Sequence, residues 1–283
     1  MKYILVVLLM LIEFVIKPVF AQNFPFPWEA VSEKPPYYHV RYEASQKPDE
    51  LVFAVNYTVW IPPSVDKLKS VIVHQHGCGR GAAYTGLTGA FDLHWQALAR
   101  KHDSALISAA YEQPSKAKCG NWAEPRNGSE NTFIKALADL GIKSGHKELA
   151  TVPWALWGHS GGAYWVGAMA LLHPERAAAV WMRSGAMSVK TVSDKASPDK
   201  SKTDNGSKGA FALTQERLGI PMMLNQGAKE GITEIDNRFA RIWTRNKSIF
   251  HAIRSKGGLI GHSSDLPTLH HNGNQRYLAI PWF

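Results

Sequence analysis

The chain has 283 residues, of which 45% are hydrophobic and 19% are charged, and it carries a formal net charge of +9 at pH 7. This length suits one large domain, and this composition excludes a wholly disordered chain. The lysines and arginines form no stripe interleaved with aromatic residues. We therefore expect no nucleic-acid partner, and at most adsorption to an anionic surface or polymer.

The first residues have the pattern of a secretory signal peptide, predicted to span 1–21. Lys2 supplies a positive charge, residues 3–12 form an apolar run, and Val-Phe-Ala at 19–21 fits a cleavage site. An uncleaved membrane anchor is the alternative, but the run is only about ten residues long, against the roughly twenty that span a bilayer. We therefore predict cleavage near Ala21, a secreted or periplasmic location, and no stable membrane insertion afterwards.

Residues 22–283 are predicted to form a single domain in which strands and helices alternate. Apolar and β-branched runs predict strands at 38–42, 52–60, 70–75, 105–110, 152–157, 177–182, 220–226 and 249–253. Apolar residues at helical spacing predict helices at 91–102, 131–142, 160–172 and 234–245. This alternation favours a mostly parallel sheet covered by helices on both faces, with early antiparallel strands.

One segment breaks the alternation. Residues 193–209 are polar and rich in lysine, so they are predicted to form a surface loop insertion. A lid over a binding site is the alternative interpretation.

The most informative motif is GHSGG at 158–162, which matches the nucleophile-elbow pattern G-x-S-x-G. It lies directly between a predicted strand and a predicted helix rich in small residues. A sharp strand-to-helix turn of this kind projects the serine hydroxyl toward a substrate and leaves the next amide free at the helix N-terminus. The sequence therefore predicts Ser160 as a nucleophile, and an ordinary glycine-rich turn is the alternative.

With this motif in this position, the chain resembles the α/β-hydrolase superfamily over nearly all of residues 22–283. The resemblance implies the α/β-hydrolase fold, with a mostly parallel central sheet of about eight strands and helices on both faces. The export signal, the sequence HGCG at 76–79 and the loop from Cys119 to Trp122 make it similar to secreted bacterial esterases related to polyhydroxybutyrate depolymerases and feruloyl esterases.

The superfamily order of serine, acid and histidine guides the choice of the other catalytic residues. His262 is predicted as the base because it ends a glycine-rich loop after the last predicted strand; His270 and His271 lie in a polar tail without that context. Glu230 is predicted as the acid because it follows strand 220–226 in the slot where the family usually has aspartate, and Asp236 is the alternative.

The resemblance also implies an oxyanion hole made by backbone amides of Gly161 and of the loop after strand 70–75, with Cys78 or Gly79 as the second donor. The even number of cysteines in an exported chain predicts one disulfide, between Cys78 and Cys119, with two unpaired buried thiols as the alternative. His74 and His76 share a strand face, but no third ligand is evident, so no metal and no cofactor are predicted.

Aromatic residues near these loops are candidates for an acyl pocket. Trp122 and His159 are the predicted substrate contacts, whereas Trp157, on a strand, is predicted to be core. The implied activity is hydrolysis of carboxylic esters, small or polymeric, through a Ser-His-Glu triad and an acyl-enzyme. A peptidase or acyltransferase using the same residues is the alternative, followed by a non-catalytic binding protein; the sequence predicts no oligomeric state.

Overall fold

The computed structural model describes residues 33–79, 86–190, 208–274 and 277–283. The predicted signal peptide lies outside these residues, as does the predicted loop insertion 193–209 except for Lys208 and Gly209. Within the described residues, no helix combines the length and the apolar character needed to cross a membrane.

Eight strands of the described chain form one sheet, in the order β1-β2-β4-β3-β5-β6-β7-β8. The pairs β1–β2 and β2–β4 are antiparallel, and every other neighbouring pair is parallel. The prediction of a mostly parallel sheet of about eight strands is confirmed. The strands are β1 Tyr37–Tyr42, β2 Val55–Trp60, β3 Ser70–Gln75, β4 Ser104–Tyr111, β5 Trp154–His159, β6 Ala177–Arg183, β7 Met222–Gly227 and β8 Ile260–Asp265.

The central strands are continuous apolar runs because helices cover both faces of the sheet. Every residue of β4 is buried, as is every residue of β3 except Ser70. The α-helices are α1 Leu93–Lys101, α2 Gly120–Ala123, α3 Ser129–Ser144, α4 Gly161–Leu172, α5 Gln215–Leu218, α6 Arg241–Arg254 and α7 Ala279–Trp282. The predicted helices 91–102, 131–142 and 160–172 correspond to α1, α3 and α4.

The prediction fails between residues 234 and 265. The predicted helix 234–245 and strand 249–253 are replaced by one helix, α6, whose buried residues Asn246, Ile249 and Ile253 recur at helical spacing. The short β-branched run at 249–253 is the buried face of this helix, and periodicity over so few residues does not distinguish the two structures. As a result the last strand is β8, and the predicted glycine-rich loop before His262 is partly strand.

Tryptophans fill much of the interior. Trp95 and Trp157 are fully buried in a cluster that also contains Trp181 and the C-terminal Ala279. The prediction of Trp157 as a core residue is confirmed, and Trp95 is core as well. Burial of one such side chain stabilises the fold by about 2–3 kcal/mol.

Candidate active site

The strand-turn-helix geometry of the elbow is present as predicted. Ser160 connects β5 to α4 with φ 57° and ψ −119°, a strained conformation for a residue with a side chain. A Cβ at Gly158 would collide with the carbonyl oxygen of Gly162, and one at Gly162 would collide with that of Gln75. The turn is therefore possible only with glycine at both positions.

Ser160 lies at one end of a continuous chain of hydrogen bonds. Its Oγ is 2.8 Å from Nε2 of His270, and Nδ1 of the same ring is 2.6 Å from Oε1 of Glu230. Glu230 is fully buried, whereas Ser160 and His270 are partly exposed. These distances allow a proton to pass from the serine hydroxyl to the imidazole while the carboxylate fixes the tautomer of the ring.

The predicted place of His262 beside Ser160 is therefore corrected: the histidine that contacts Ser160 is His270. His262 lies inside β8, in register with Leu224, which is three residues before the end of β7 and so about 10 Å from the catalytic edge of the sheet. Its Nε2 is 3.3 Å from Oε1 of Gln226, and burial lowers its pKa.

One sequence signal would have identified His270. It is the first histidine after the true last strand, Ile260–Asp265. The sequence prediction assigns part of α6 to a strand at 249–253 and takes that strand as the last one of the sheet. The first histidine after residues 249–253 is His262, so His262 is chosen in place of His270.

Glu230 occupies the position predicted for the acid, although its partner is a different histidine. Its Oε2 accepts hydrogen bonds from Ser184 Oγ (2.7 Å) and from the Gly227 amide (2.8 Å). Burial by itself would raise the pKa of Glu230, but the hydrogen bonds from His270, Ser184 and Gly227 outweigh burial and lower it. Asp236, the alternative acid, is exposed in the segment before α6.

A buried arginine holds the loop that carries His270. Arg183 is 1% exposed and donates from Nε to the carbonyl oxygen of His271 (2.9 Å) and from Nη2 to that of Leu269 (3.3 Å). Nη2 also reaches Thr268 Oγ1 at 2.9 Å. The guanidinium thus donates hydrogen bonds to the backbone carbonyl groups on both sides of His270.

Two aromatic rings border His270. Phe239 stacks on it with ring centroids 3.7 Å apart and an angle of 7° between the planes, and His159 lies 5.1 Å away. Nε2 of His159 is buried and has no hydrogen-bond partner within the described residues, and burial lowers the pKa of His159 well below its usual value. His159 therefore packs, uncharged, beside His270, and its predicted contact with substrate stays a prediction.

The loop after β3 runs directly past the serine. A Cβ at Gly77 would lie 2.9 Å from the Ser160 Cβ. Of the two predicted loop donors, the Gly79 amide already donates to Gln113 Oε1 (3.2 Å), which corrects its assignment to the oxyanion hole. Among the described residues, the Cys78 and Gly161 amides have no hydrogen-bond acceptor.

The predicted disulfide between Cys78 and Cys119 is present, with the two Cα atoms 5.5 Å apart. It packs against the first residue of α4, because a Cβ at Gly161 would collide with both sulfur atoms. The bridge therefore fixes the loop after β3 against the helix that begins at the elbow.

The predicted role of Trp122 is corrected. This side chain is 1% exposed, stacks on Tyr111 with centroids 4.2 Å apart, and donates from Nε1 to Gln113 Oε1 (2.8 Å). It stabilises the loop of Cys119 from the interior and is not open to substrate. The error arose because sequence alone does not show which way a loop tryptophan faces.

Within the described residues, no group of three or more histidine, cysteine or acidic side chains is placed to hold a metal ion. His74 and His76 pack edge to face, with centroids 4.7 Å apart, and both contact the ring of Trp157.

Comparison with known proteins identifies the fold. No family model and no curated protein sequence matches the chain. Among solved structures, the chain is similar to a poly(aspartic acid) hydrolase from Sphingomonas sp. KT-1 (TM-score 0.57, 14% identity, 88% of this chain and 100% of that one). A poly(3-hydroxybutyrate) depolymerase from Bordetella parapertussis gives a TM-score of 0.56 at 15% identity, over 94% of this chain and 95% of that one.

A ferulic acid esterase gives a TM-score of 0.55 at 15% identity, over 83% of this chain and 91% of that one. The chain spans 54% of the length of a thermostable esterase that it also matches, with a TM-score of 0.51 at 14% identity over 81% of this chain. The protein therefore has the α/β-hydrolase fold, as the sequence predicted.

Proposed function

We propose that this protein is a serine hydrolase that cleaves carboxylic esters through an acyl-enzyme. The observation that carries the proposal is the continuous path from Ser160 Oγ through His270 to the buried Glu230 carboxylate. This arrangement lies at the carboxyl ends of parallel strands, where open α/β sheets bind their ligands.

The chemistry follows from these contacts. Ser160 Oγ attacks the ester carbonyl carbon while its proton moves to Nε2 of His270, and the carbonyl oxygen becomes an oxyanion. The amides of Cys78 and Gly161 donate hydrogen bonds to that oxyanion, and the N-terminus of α4 adds its positive dipole end. His270 then returns the proton to the leaving alcohol as the carbon–oxygen bond breaks.

Deacylation repeats the same steps with water in place of the serine. His270 takes a proton from water, the hydroxide attacks the acyl carbon, and Ser160 leaves with the proton that His270 returns. Glu230 stays ionised throughout, because its hydrogen bonds lower its pKa, and it stabilises the transient imidazolium.

An ester substrate is supported by the similarity to a ferulic acid esterase and a poly(3-hydroxybutyrate) depolymerase. The similarity to a poly(aspartic acid) hydrolase keeps amide hydrolysis as the second candidate. The chain is proposed to act on a small or polymeric ester as one catalytic domain over residues 22–283, after export and removal of residues 1–21. The disulfide suits an oxidising compartment and supports export.

The test compares four proteins on a short-chain 4-nitrophenyl ester: wild type, Ser160→Ala, His270→Ala and His262→Ala. The first two variants should lose activity by about a thousandfold or more, because the nucleophile and its base act as a unit. His262→Ala is the matched control and should stay within about tenfold of wild type. Loss of activity in His262→Ala with retention in His270→Ala would overturn the assignment.

Labelling and substrate range complete the test. A fluorophosphonate should modify Ser160 in wild type, and peptide mapping locates the adduct. Amide substrates and alcohol acceptors should react more slowly than esters and water. Faster cleavage of amides, or faster transfer to alcohols, would identify a peptidase or an acyltransferase, and no turnover with no labelling would identify a binding protein.

A further inference from the structure

Arg245 lies in the second turn of α6, and its side chain contacts residues of two other segments. Its Nη2 donates to Ser188 Oγ at 3.1 Å, and its Cζ lies 5.8 Å from the ring centroid of Tyr164. The side chain is exposed, unlike its buried neighbour Asn246. Arg245 therefore bridges α4 and the segment after β6 while staying open to solvent.

Both contacts belong to segments that pack on Ser160. The Tyr164 amide donates to the Ser160 carbonyl oxygen (3.2 Å), so the ring belongs to the first turn after the nucleophile. A Cβ at Gly185, in the segment that leads to Ser188, would lie 2.6 Å from the same oxygen. Arg245 thus contacts two segments that pack on the backbone of Ser160.

The charge of Arg245 is not neutralised within the described residues, where no carboxylate lies within ion-pair distance of it. By contrast, Arg126 pairs with Glu124 through two nitrogens. A guanidinium has five N–H donors, and one hydrogen bond to a neutral hydroxyl leaves most of them available.

We propose that Arg245 binds a carboxylate carried by the substrate, so that the enzyme prefers esters with an anionic group. The planar guanidinium matches a carboxylate in shape and hydrogen bonding. The formal net charge, +9 for the full chain and +8 without residues 1–21, favours the approach of such substrates. This inference rests on the proposed esterase activity and adds a substrate class to it.

The experiment uses 4-nitrophenyl half-esters of glutaric, adipic, pimelic and suberic acid. Each is paired with the neutral ester in which an isopropyl group replaces the free carboxylate, so the members of a pair differ mainly in charge. The readout is the ratio of kcat/KM for the anionic ester to kcat/KM for its neutral partner. Wild type should give a ratio above one for at least one chain length.

Arg245→Gln should lower that ratio by about tenfold to a hundredfold, the range expected for loss of a charge-assisted hydrogen-bonded pair. Most of the change should appear in KM, because the carboxylate is bound equally in the ground and transition states. Arg245→Lys should restore part of the ratio.

Arg254→Gln is the matched control, because Arg254 is an exposed arginine in the last turn of the same helix that donates to the Gly258 carbonyl oxygen. It removes the same charge from the chain and should leave the ratio unchanged. An equal fall of the ratio in both variants would show general electrostatic steering and overturn the subsite. A wild-type ratio of one or less at every length would also overturn it, whereas failure to hydrolyse any of the esters would overturn the proposed activity itself.

Discussion

Arg183 donates from Nε to the carbonyl oxygen of His271, at 2.9 Å, and so fixes the backbone next to the residue that contacts Ser160. The same guanidinium also donates to Asn225 Oδ1 at 2.7 Å and lies 3.7 Å from Asp265 Oδ2. The position of His270 therefore depends on a buried side chain at the end of β6, a strand that contributes no side chain to the proton path.

Arg183→Met should lower kcat by about tenfold to a hundredfold and destabilise the protein by about 3–5 kcal/mol, because buried acceptors and Asp265 lose their charged partner. Steady-state kinetics and thermal unfolding measure the two effects. Arg176→Met is the control: Arg176 donates to the carbonyl oxygens of Val152 and Ala150, before β5, far from the catalytic edge. Arg176→Met should lower the stability of the protein and leave kcat unchanged. An unchanged kcat in a folded Arg183→Met protein would contradict the positioning role.

Gly161→Ala should be strongly destabilising while the disulfide is intact, because the added Cβ would overlap both sulfur atoms. The cost should shrink by about 1–3 kcal/mol when Cys78 and Cys119 are both replaced by alanine, which relieves the overlap. A double-mutant cycle of chemical denaturation midpoints measures this coupling. Additive effects would show that the disulfide does not press on the elbow.

Reduction of the disulfide should also destabilise the fold. The bridge closes a loop with a sequence separation of 41 residues. Chain-entropy arguments place its contribution at about 4 kcal/mol. Thermal unfolding with and without reductant measures the loss, and an unchanged melting temperature after complete reduction would contradict this prediction.

Stability should fall as the pH drops below about 6.5, the ordinary pKa of histidine. Burial lowers the pKa of His76 and of His159 well below that value, so both stay neutral in the folded protein while the unfolded chain takes up protons. Each histidine then contributes a slope of up to about 1.4 kcal/mol per pH unit, until the pH reaches its folded pKa. Denaturation between pH 7 and 5 measures the slope, which should be smaller in His76→Gln. A pH-independent stability across this interval would contradict the prediction.

Glu230→Gln should lower kcat by about a thousandfold or more, because the amide no longer stabilises the imidazolium of His270. Asp236→Asn is the matched control and should keep a kcat near that of wild type.

The depressed pKa of Glu230 also affects the pH dependence of stability. Its contribution is fully present above the ordinary pKa of a glutamate, about 4.5, and is lost as the pH falls through the lower folded value. Glu230→Gln should therefore show a weaker loss of stability in strong acid.

The sequence by itself determined the elbow. A strand, a turn with glycine on both sides of Ser160 and a helix of small residues all lie within about twenty consecutive positions, so local sterics suffice to define them. The alternation of strands and helices and the position of Glu230 after β7 were also predictable, because each follows from local pattern or from the order of parallel strands. The pairing of Cys78 with Cys119 was predictable because the chain has two cysteines and an export signal.

Only the tertiary structure decided which histidine lies against Ser160. His270 is 110 residues from Ser160 along the chain. Its position beside Ser160 depends on where β8 ends and on the hydrogen bonds from Arg183 to the following loop. Only the tertiary structure also showed that the Gly79 amide donates a hydrogen bond to Gln113 and that the Trp122 side chain is buried. Local periodicity does not record such contacts, because they join segments that are distant in sequence and are selected by packing and hydrogen-bond satisfaction in the folded chain.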